Sequence, residues 1–216
     1  MAAPDRLSGG ANAPHLIEYG VATLALAGET ESGDLHLVQP AGTGVLVSVV
    51  DGLGHGPEAA AAARAAITAL ARQAPAPVLT LLQACHQALI GTRGVVMSLA
   101  SFDRADGAMT WVGVGNVEGV LLYTDPGARQ AHTTLVTRGG IVGGELPKLH
   151  AEVISISPGD TLIFATDGIK AAFADGLPVE LAPQELAELI LARHSKGTDD
   201  ALVLVARYTG GLRGAA

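Results

Sequence analysis

Segments rich in β-branched residues and segments with an apolar residue every three or four positions succeed one another along the chain, and their order predicts its elements. Ile17–Leu26 and Gly44–Val50 read as strands, the second fully buried. From Pro57 an alanine-rich run to about Gln73 predicts a helix, since proline suits a first helical position and Glu58 complements the positive helix start. A second helix, about Val78 to Ile90, places Val78, Leu81, Leu82, Cys85 and Leu89 on one face, with Gly91 to stop it. Strands resume at Val95–Phe102, Met109–Val114 and Glu118–Tyr123, the first two joined by a turn over Asp103–Gly107. Ala151–Ile156 and Thr161–Thr166 follow, linked by Pro158-Gly159-Asp160. A last helix, about Pro183 to His194, turns Leu186, Leu189 and Ile190 inward and gives way near Gly197 to a strand at Ala201–Tyr208.

Strands joined by short turns pair antiparallel, and amphipathic helices cover sheets from outside. The pattern suits an α+β arrangement of two packed sheets with helices on both outer faces, without forcing it. One domain is expected over residues 15–208, between a loose N-terminal segment at 1–14 and a flexible tail at 209–216.

Composition narrows the function. With 49% hydrophobic and 16% charged residues, the chain has the makings of a packed core. A net charge of −8 and the lack of any Lys/Arg-rich run argue against DNA, RNA or an anionic membrane surface as a partner. The apolar stretches are short and bounded by Gly or Asp, well under the roughly 20 residues of a spanning helix. Met1–Gly10 has no apolar core, so no signal peptide is expected, and Cys85 is the single cysteine. A reducing cytoplasm fits both.

Four aspartate segments stand where strands begin or end: Ser32-Gly33-Asp34, Asp51-Gly52-Leu53-Gly54-His55-Gly56, Thr166-Asp167-Gly168 and Thr198-Asp199-Asp200. A carboxylate there has its backbone fixed by the sheet, and a neighbouring glycine lets the chain turn and an ion approach the main chain. Clustered carboxylates repel, by about 1 kcal/mol for a pair 4 Å apart even at the dielectric of water. Two divalent cations would balance four of them, and Mg²⁺ and Mn²⁺ favour such oxygen ligands. A paired-metal site suits hydrolysis of a phosphate ester by activated water. Asp-Gly alone is a common turn, and three alternate glycines also suit a strained strand–helix link. The combination in this order carries the argument. Cys85 and Trp111 read as core.

The segments Glu31-Ser32-Gly33-Asp34, Val50-Asp51-Gly52-Leu53-Gly54-His55-Gly56, Arg93-Gly94, Val114-Gly115-Asn116-Val117, Phe164-Ala165-Thr166-Asp167-Gly168-Ile169 and Asp199-Asp200 resemble the metal-dependent protein phosphatases (PPM). The likeness is to their SpoIIE-like branch and, within it, the stand-alone RsbX-type stressosome phosphatases, and it extends from about residue 17 to 207. It implies an αββα sandwich of two antiparallel sheets with two divalent cations, Mn²⁺ or Mg²⁺, at one end. By the same resemblance Asp51 would bridge both ions and the Gly52 carbonyl would bind the first. Asp167 and Asp199 would bind the second, and Asp34 would bind directly or through water. Asp200 would stand behind these ligands.

His55 is a candidate to assist substrate or leaving group beside its reading as a local hydrogen-bonding residue. Arg93 is a candidate phosphoryl contact beside a solvated loop arginine, and Asn116 a turn residue that lines the cleft in the alternative. Two departures from the family stand out. No basic residue near the N-terminus matches the one that holds phosphate in many eukaryotic members, and the short Gly139–His150 segment leaves no room for a large flap.

The expected function is a protein serine/threonine phosphatase acting on phosphorylated stressosome or STAS-domain proteins, as a cytoplasmic monomer regulated by partner, metal supply or expression. A phosphatase fold that has lost turnover and only docks a partner, and a small-molecule phosphohydrolase, are the alternatives.

Overall fold

A computed structural model describes residues 16–104, 107–124 and 131–210. The expected N-terminal segment 1–14, residues 211–216 of the expected tail and the middle of the Asp103–Gly107 turn lie outside the described residues. The elements are β1 (Ile17–Leu24), β2 (Asp34–Ala41), β3 (Gly44–Gly52), α1 (Pro57–Gln73), α2 (Val78–Leu89), β4 (Val95–Asp103), β5 (Ala108–Val114), β6 (Glu118–Leu122), β7 (His132–Leu135), β8 (Glu152–Ser155), β9 (Thr161–Ala165), α3 (Pro183–His194) and β10 (Ala201–Tyr208). Two five-stranded sheets form, ordered β1-β10-β9-β6-β7 and β2-β3-β4-β5-β8, with antiparallel pairing throughout.

Three apolar layers hold them. Val47 and Val49 of β3 join Leu202, Leu204 and Phe164 of the other sheet between the sheets. Leu46 and Val50, on the opposite face of β3, pack with Ala62, Ala63, Ala66 and Leu70 of α1 and with Leu81, Leu82 and Cys85 of α2. Val203 and Val205 of β10 pack outward onto Leu186, Ala187 and Ile190 of α3. The strand period of two explains why β3 and β10 are apolar at nearly every position: both faces of each strand are covered. The arrangement is the αββα sandwich. Stacked rings of Phe102 and Tyr208, 6.3 Å between centroids, tie β4 to β10 across the middle layer.

Two strands were not visible in the sequence. β2 carries His36, Gln39 and Pro40 and forms an edge of its sheet, where polar residues and proline are tolerated. β7 is four residues long and is also an edge strand. Trp111 and Cys85 are both buried, as expected. Burial pushes the Cys85 thiol up to about 12, so it remains protonated and inert. Among the described residues, no helix is long and apolar enough to cross a membrane.

The approach of α3 to β1 depends on Gly20. A Cβ at that position would lie 2.3 Å from the Gln184 backbone. The Gln184 side chain meanwhile accepts from Val21 N and donates to Val21 O, occupying the free edge of β1. Gly20→Ala is therefore expected to destabilise the fold by about 1–3 kcal/mol through forced separation of α3 from the sheet, read as a lower denaturant midpoint with an unchanged slope.

Candidate metal and catalytic site

The site forms where the middle layer opens at one end. Asp51 continues the inward parity of Val47 and Val49 on β3, so it faces the inter-sheet space. Asp34 sits directly opposite it in the β2–β3 register, which puts the two carboxylates on the same face. Thr166 follows β9 with the parity of Leu162 and Phe164, and Asp200 precedes β10 with the parity of Leu202 and Leu204. Both sheets thus end their apolar stripes in polar residues at the same rim.

A buried hydrogen bond joins the sheets there: Thr166 Oγ1 donates to Asp34 Oδ2 at 2.7 Å. Thr166 Oγ1 accepts in turn from Leu202 N at 2.8 Å. Asp200 is spent on structure. Its two oxygens accept from Leu26 N and Gly33 N, each at 2.7 Å, and so clamp both ends of the β1–β2 loop. Asp199 Oδ1 accepts from Asp200 N at 2.9 Å. Asn116 Nδ2 donates to Asp167 Oδ2 at 2.8 Å, so the Gly-Asn-Val turn reaches across to an acidic residue. Lys196 Nζ donates to the Asp167 main-chain carbonyl.

Burial sets the electrostatics. It raises Asp34 to about 7; the Thr166 hydrogen bond opposes this, and repulsion from Asp200, Asp167 and Asp199 adds to it. Burial raises Asp51 to about 8, with repulsion from Asp34 first among the charges, then Asp167, Asp199 and Asp200. The five aspartates therefore share one field. Among the described residues, no group of three or more His, Cys, Asp or Glu side chains stands in ready-made metal-ligand geometry. The donor chemistry nonetheless fits hard divalent cations: the candidate donors are all oxygen, and burial and neighbouring charge disfavour ionisation of Asp34 and Asp51.

The three alternate glycines after Asp51 serve three different neighbours. A Cβ at Gly52 would lie 2.2 Å from the Ala59 carbonyl of α1, one at Gly54 2.8 Å from the Arg93 guanidinium, and one at Gly56 2.8 Å from the Glu29 carboxylate. Gly54 and Gly56 also have φ of 86° and 77°, which side chains rarely adopt. Arg93 thus lies over the loop, and it pairs with Glu58 in the first turn of α1. His55 Nδ1 lies 2.6 Å from Glu29 Oε1. Residues 139–150 fold back onto the body, with Val142 bridged to Val95 and Gly143 N donating to His86 Nδ1.

Asp34, Asp51, Gly52, Asp167, Asp199 and Asp200 meet at this rim, while Arg93, His55 and Asn116 border it. Glu29, Thr166 and Lys196 were not singled out from the sequence. The Thr beside Asp167-Gly168 was in view as part of a motif, but nothing in it marks a bond to a residue 132 positions away.

Two antiparallel sheets between helices, with acidic residues gathered at one rim, are the fold of the PPM phosphatases. The family model for Stage II sporulation protein E (SpoIIE) matches residues 41–209, and the chain belongs to this SpoIIE family. A solved structure described as "The bacterial stressosome: a modular system that has been adapted to control secondary messenger signaling" is 33% identical, with a TM-score of 0.79, covering 88% of this chain and 99% of the other. RsbX in complex with magnesium is 21% identical, with a TM-score of 0.79 and coverage of 89% and 96%. The PP2C phosphatase domain of SpoIIE from Bacillus subtilis, with a fragment of its regulatory domain, is 20% identical. Its TM-score is 0.75 and the match covers 89% of this chain and 63% of the other.

Two measurements follow from the geometry. In the metal-free protein Asp34 and Asp51 hold protons that the unfolded chain, near 3.8, releases earlier. Their stabilising contribution is complete below pH 3.8 and is lost as pH rises through about 7 and about 8. Melting temperature without divalent cations should fall across that window, and added Mn²⁺ should raise it more at pH 8 than at pH 5. Asp200→Ala should cost about 1–3 kcal/mol by orphaning buried amides of the β1–β2 loop, measured by denaturant unfolding in the presence of chelator.

Proposed function

We propose that the protein hydrolyses phosphoserine and phosphothreonine on a signalling protein of the stressosome or STAS-domain class, in the cytoplasm, using two divalent cations, Mn²⁺ or Mg²⁺. The observation that carries this reading is the gathering of Asp34, Asp51, Asp167 and Asp199 at one rim, where burial and the neighbouring carboxylates disfavour the charged forms of Asp34 and Asp51. SpoIIE family membership supports phosphatase chemistry. The likeness to RsbX, solved with magnesium, and to a stressosome structure supports the cation and the class of partner.

Asp51, the Gly52 carbonyl, Asp34, Asp167 and Asp199 would hold the cations, which supply an activated water and neutralise charge on the phosphoryl oxygens. The chain's other residues have separate tasks. Thr166 fixes one oxygen of Asp34. Asn116 orients Asp167. Asp200 pins the loop that carries Gly33 and so sets the start of β2. Arg93, lying across Gly54, presents two N–H groups to the phosphoryl group once Glu58 releases it. His55 serves the leaving oxygen. The nucleophilic water forms the new P–O bond as the bond to the seryl or threonyl oxygen breaks.

Phosphate release from a phosphorylated STAS-domain protein should require Mn²⁺ or Mg²⁺ and exceed release from nucleotides. Asp51→Ala should lower kcat by about 100-fold or more, the scale of losing one main electrostatic element of a transition-state site. Activity that persists in this variant, or that is absent from wild type with Mn²⁺, contradicts the reading. Preference for nucleotides would instead identify a small-molecule phosphohydrolase.

A further inference from the structure

Glu29 belongs to none of the acidic motifs, yet it is built into the rim. The β1–β2 loop that carries it is clamped at Leu26 and Gly33 by the buried Asp200 carboxylate, and Glu29 N donates to Leu26 O at 3.0 Å. Glu31, two residues on, pairs with Arg64 of α1 at 2.8 Å. Gly56 leaves the space its carboxylate fills, since a Cβ there would stand 2.8 Å from Oε2. Glu29 Oε1 then meets His55 Nδ1 at 2.6 Å, with the Glu29 side chain 25% and the His55 side chain 58% exposed.

An ionised carboxylate only accepts hydrogen bonds, so the contact requires the proton on Nδ1. That leaves Nε2 as the ring nitrogen that can give or take a proton. An isolated surface pair of this kind adds little to stability. A clamped loop and a side-chain-free position reserved for the carboxylate are more than such a pair needs.

We propose that Glu29 is a positioning residue for His55, holding the ring by Nδ1 so that Nε2 is the atom that protonates the leaving group. The proposal rests on the phosphatase reading of the site. From the doubly protonated ring, Nε2 delivers its proton to the seryl or threonyl oxygen as that oxygen takes the electron pair of the breaking P–O bond. The ring is left neutral with Nδ1–H still on Glu29, and solvent returns a proton to Nε2.

Two readouts test it with the full chain. Heteronuclear NMR of the histidine rings, with His55 assigned through His55→Gln, should show Nδ1 protonated in wild type and a changed tautomer balance in Glu29→Gln. Steady-state hydrolysis with Mn²⁺ is compared on a phosphoserine peptide, whose alkoxide needs a proton, and on p-nitrophenyl phosphate, whose phenolate does not. His55→Gln should lose about 100-fold in kcat on the peptide, the scale of general acid catalysis, and little on the aryl ester. Glu29→Gln should lose about 10-fold in kcat on the peptide alone, Glu29→Asp should recover part of it, and the double variant should be no worse than His55→Gln. Equal losses on both substrates, additive losses in the double variant, or an unprotonated Nδ1 in wild type would overturn the proposal. If wild type hydrolyses neither substrate, the phosphatase reading and the proton transfer both fall, while the spectrum still judges the contact between Glu29 and His55.

Discussion

Like-charged carboxylates at the open end of an apolar layer set the terms for everything around them. The inter-sheet space is lined by Val47, Val49, Phe164, Leu202 and Leu204, and the same strand parities deliver Asp51 and Asp200 to its mouth. Burial disfavours the charged forms of Asp34 and Asp51, and each neighbour of the same sign disfavours them further. The chain answers with one buried hydroxyl, Thr166, and with backbone amides taken up by Asp200. The remaining deficit of positive charge is what suits the rim to divalent cations.

The rim is also a junction of loops from both sheets. Asp34 and Asp51 come from one sheet and Thr166, Asp167 and Asp199 from strand ends of the other. The Thr166–Asp34 bond is the short polar link between them. Around the Asp51–Gly56 loop, close packing is divided among three glycines facing α1, Arg93 and Glu29. Each lacks a side chain for a different reason, so replacing one would disturb a different neighbour. This division places a cation and a histidine on either flank of the loop that carries Asp51.

Much of the fold was legible because burial on two faces writes a continuous apolar strand, as in β3 and β10, and burial on one face writes a helical stripe, as in α2 and α3. β2 was not legible because an edge strand is only half covered, and His36, Gln39 and Pro40 satisfy that position without an apolar signature. β7 is too short for a pattern. The acidic segments were readable as motifs, since Asp followed by Gly at a strand end has a local signature. Glu29 has none: its place depends on a loop pinned by Asp200, more than 170 positions away.

The sequence by itself determined the order of elements apart from β2 and β7, and the aspartates offered at strand ends, because these follow from local periodicity and from residue types at turns; two sheets between helices suited that order without being forced by it. Only the tertiary structure decided which carboxylates stand free and which are consumed as anchors, that Asn116 bonds to Asp167, and that His55 and Arg93 are held by Glu29 and Glu58. Those outcomes depend on hydrogen-bond partners brought close by strand pairing and sheet stacking, and partners distant along the chain leave no periodic trace in it.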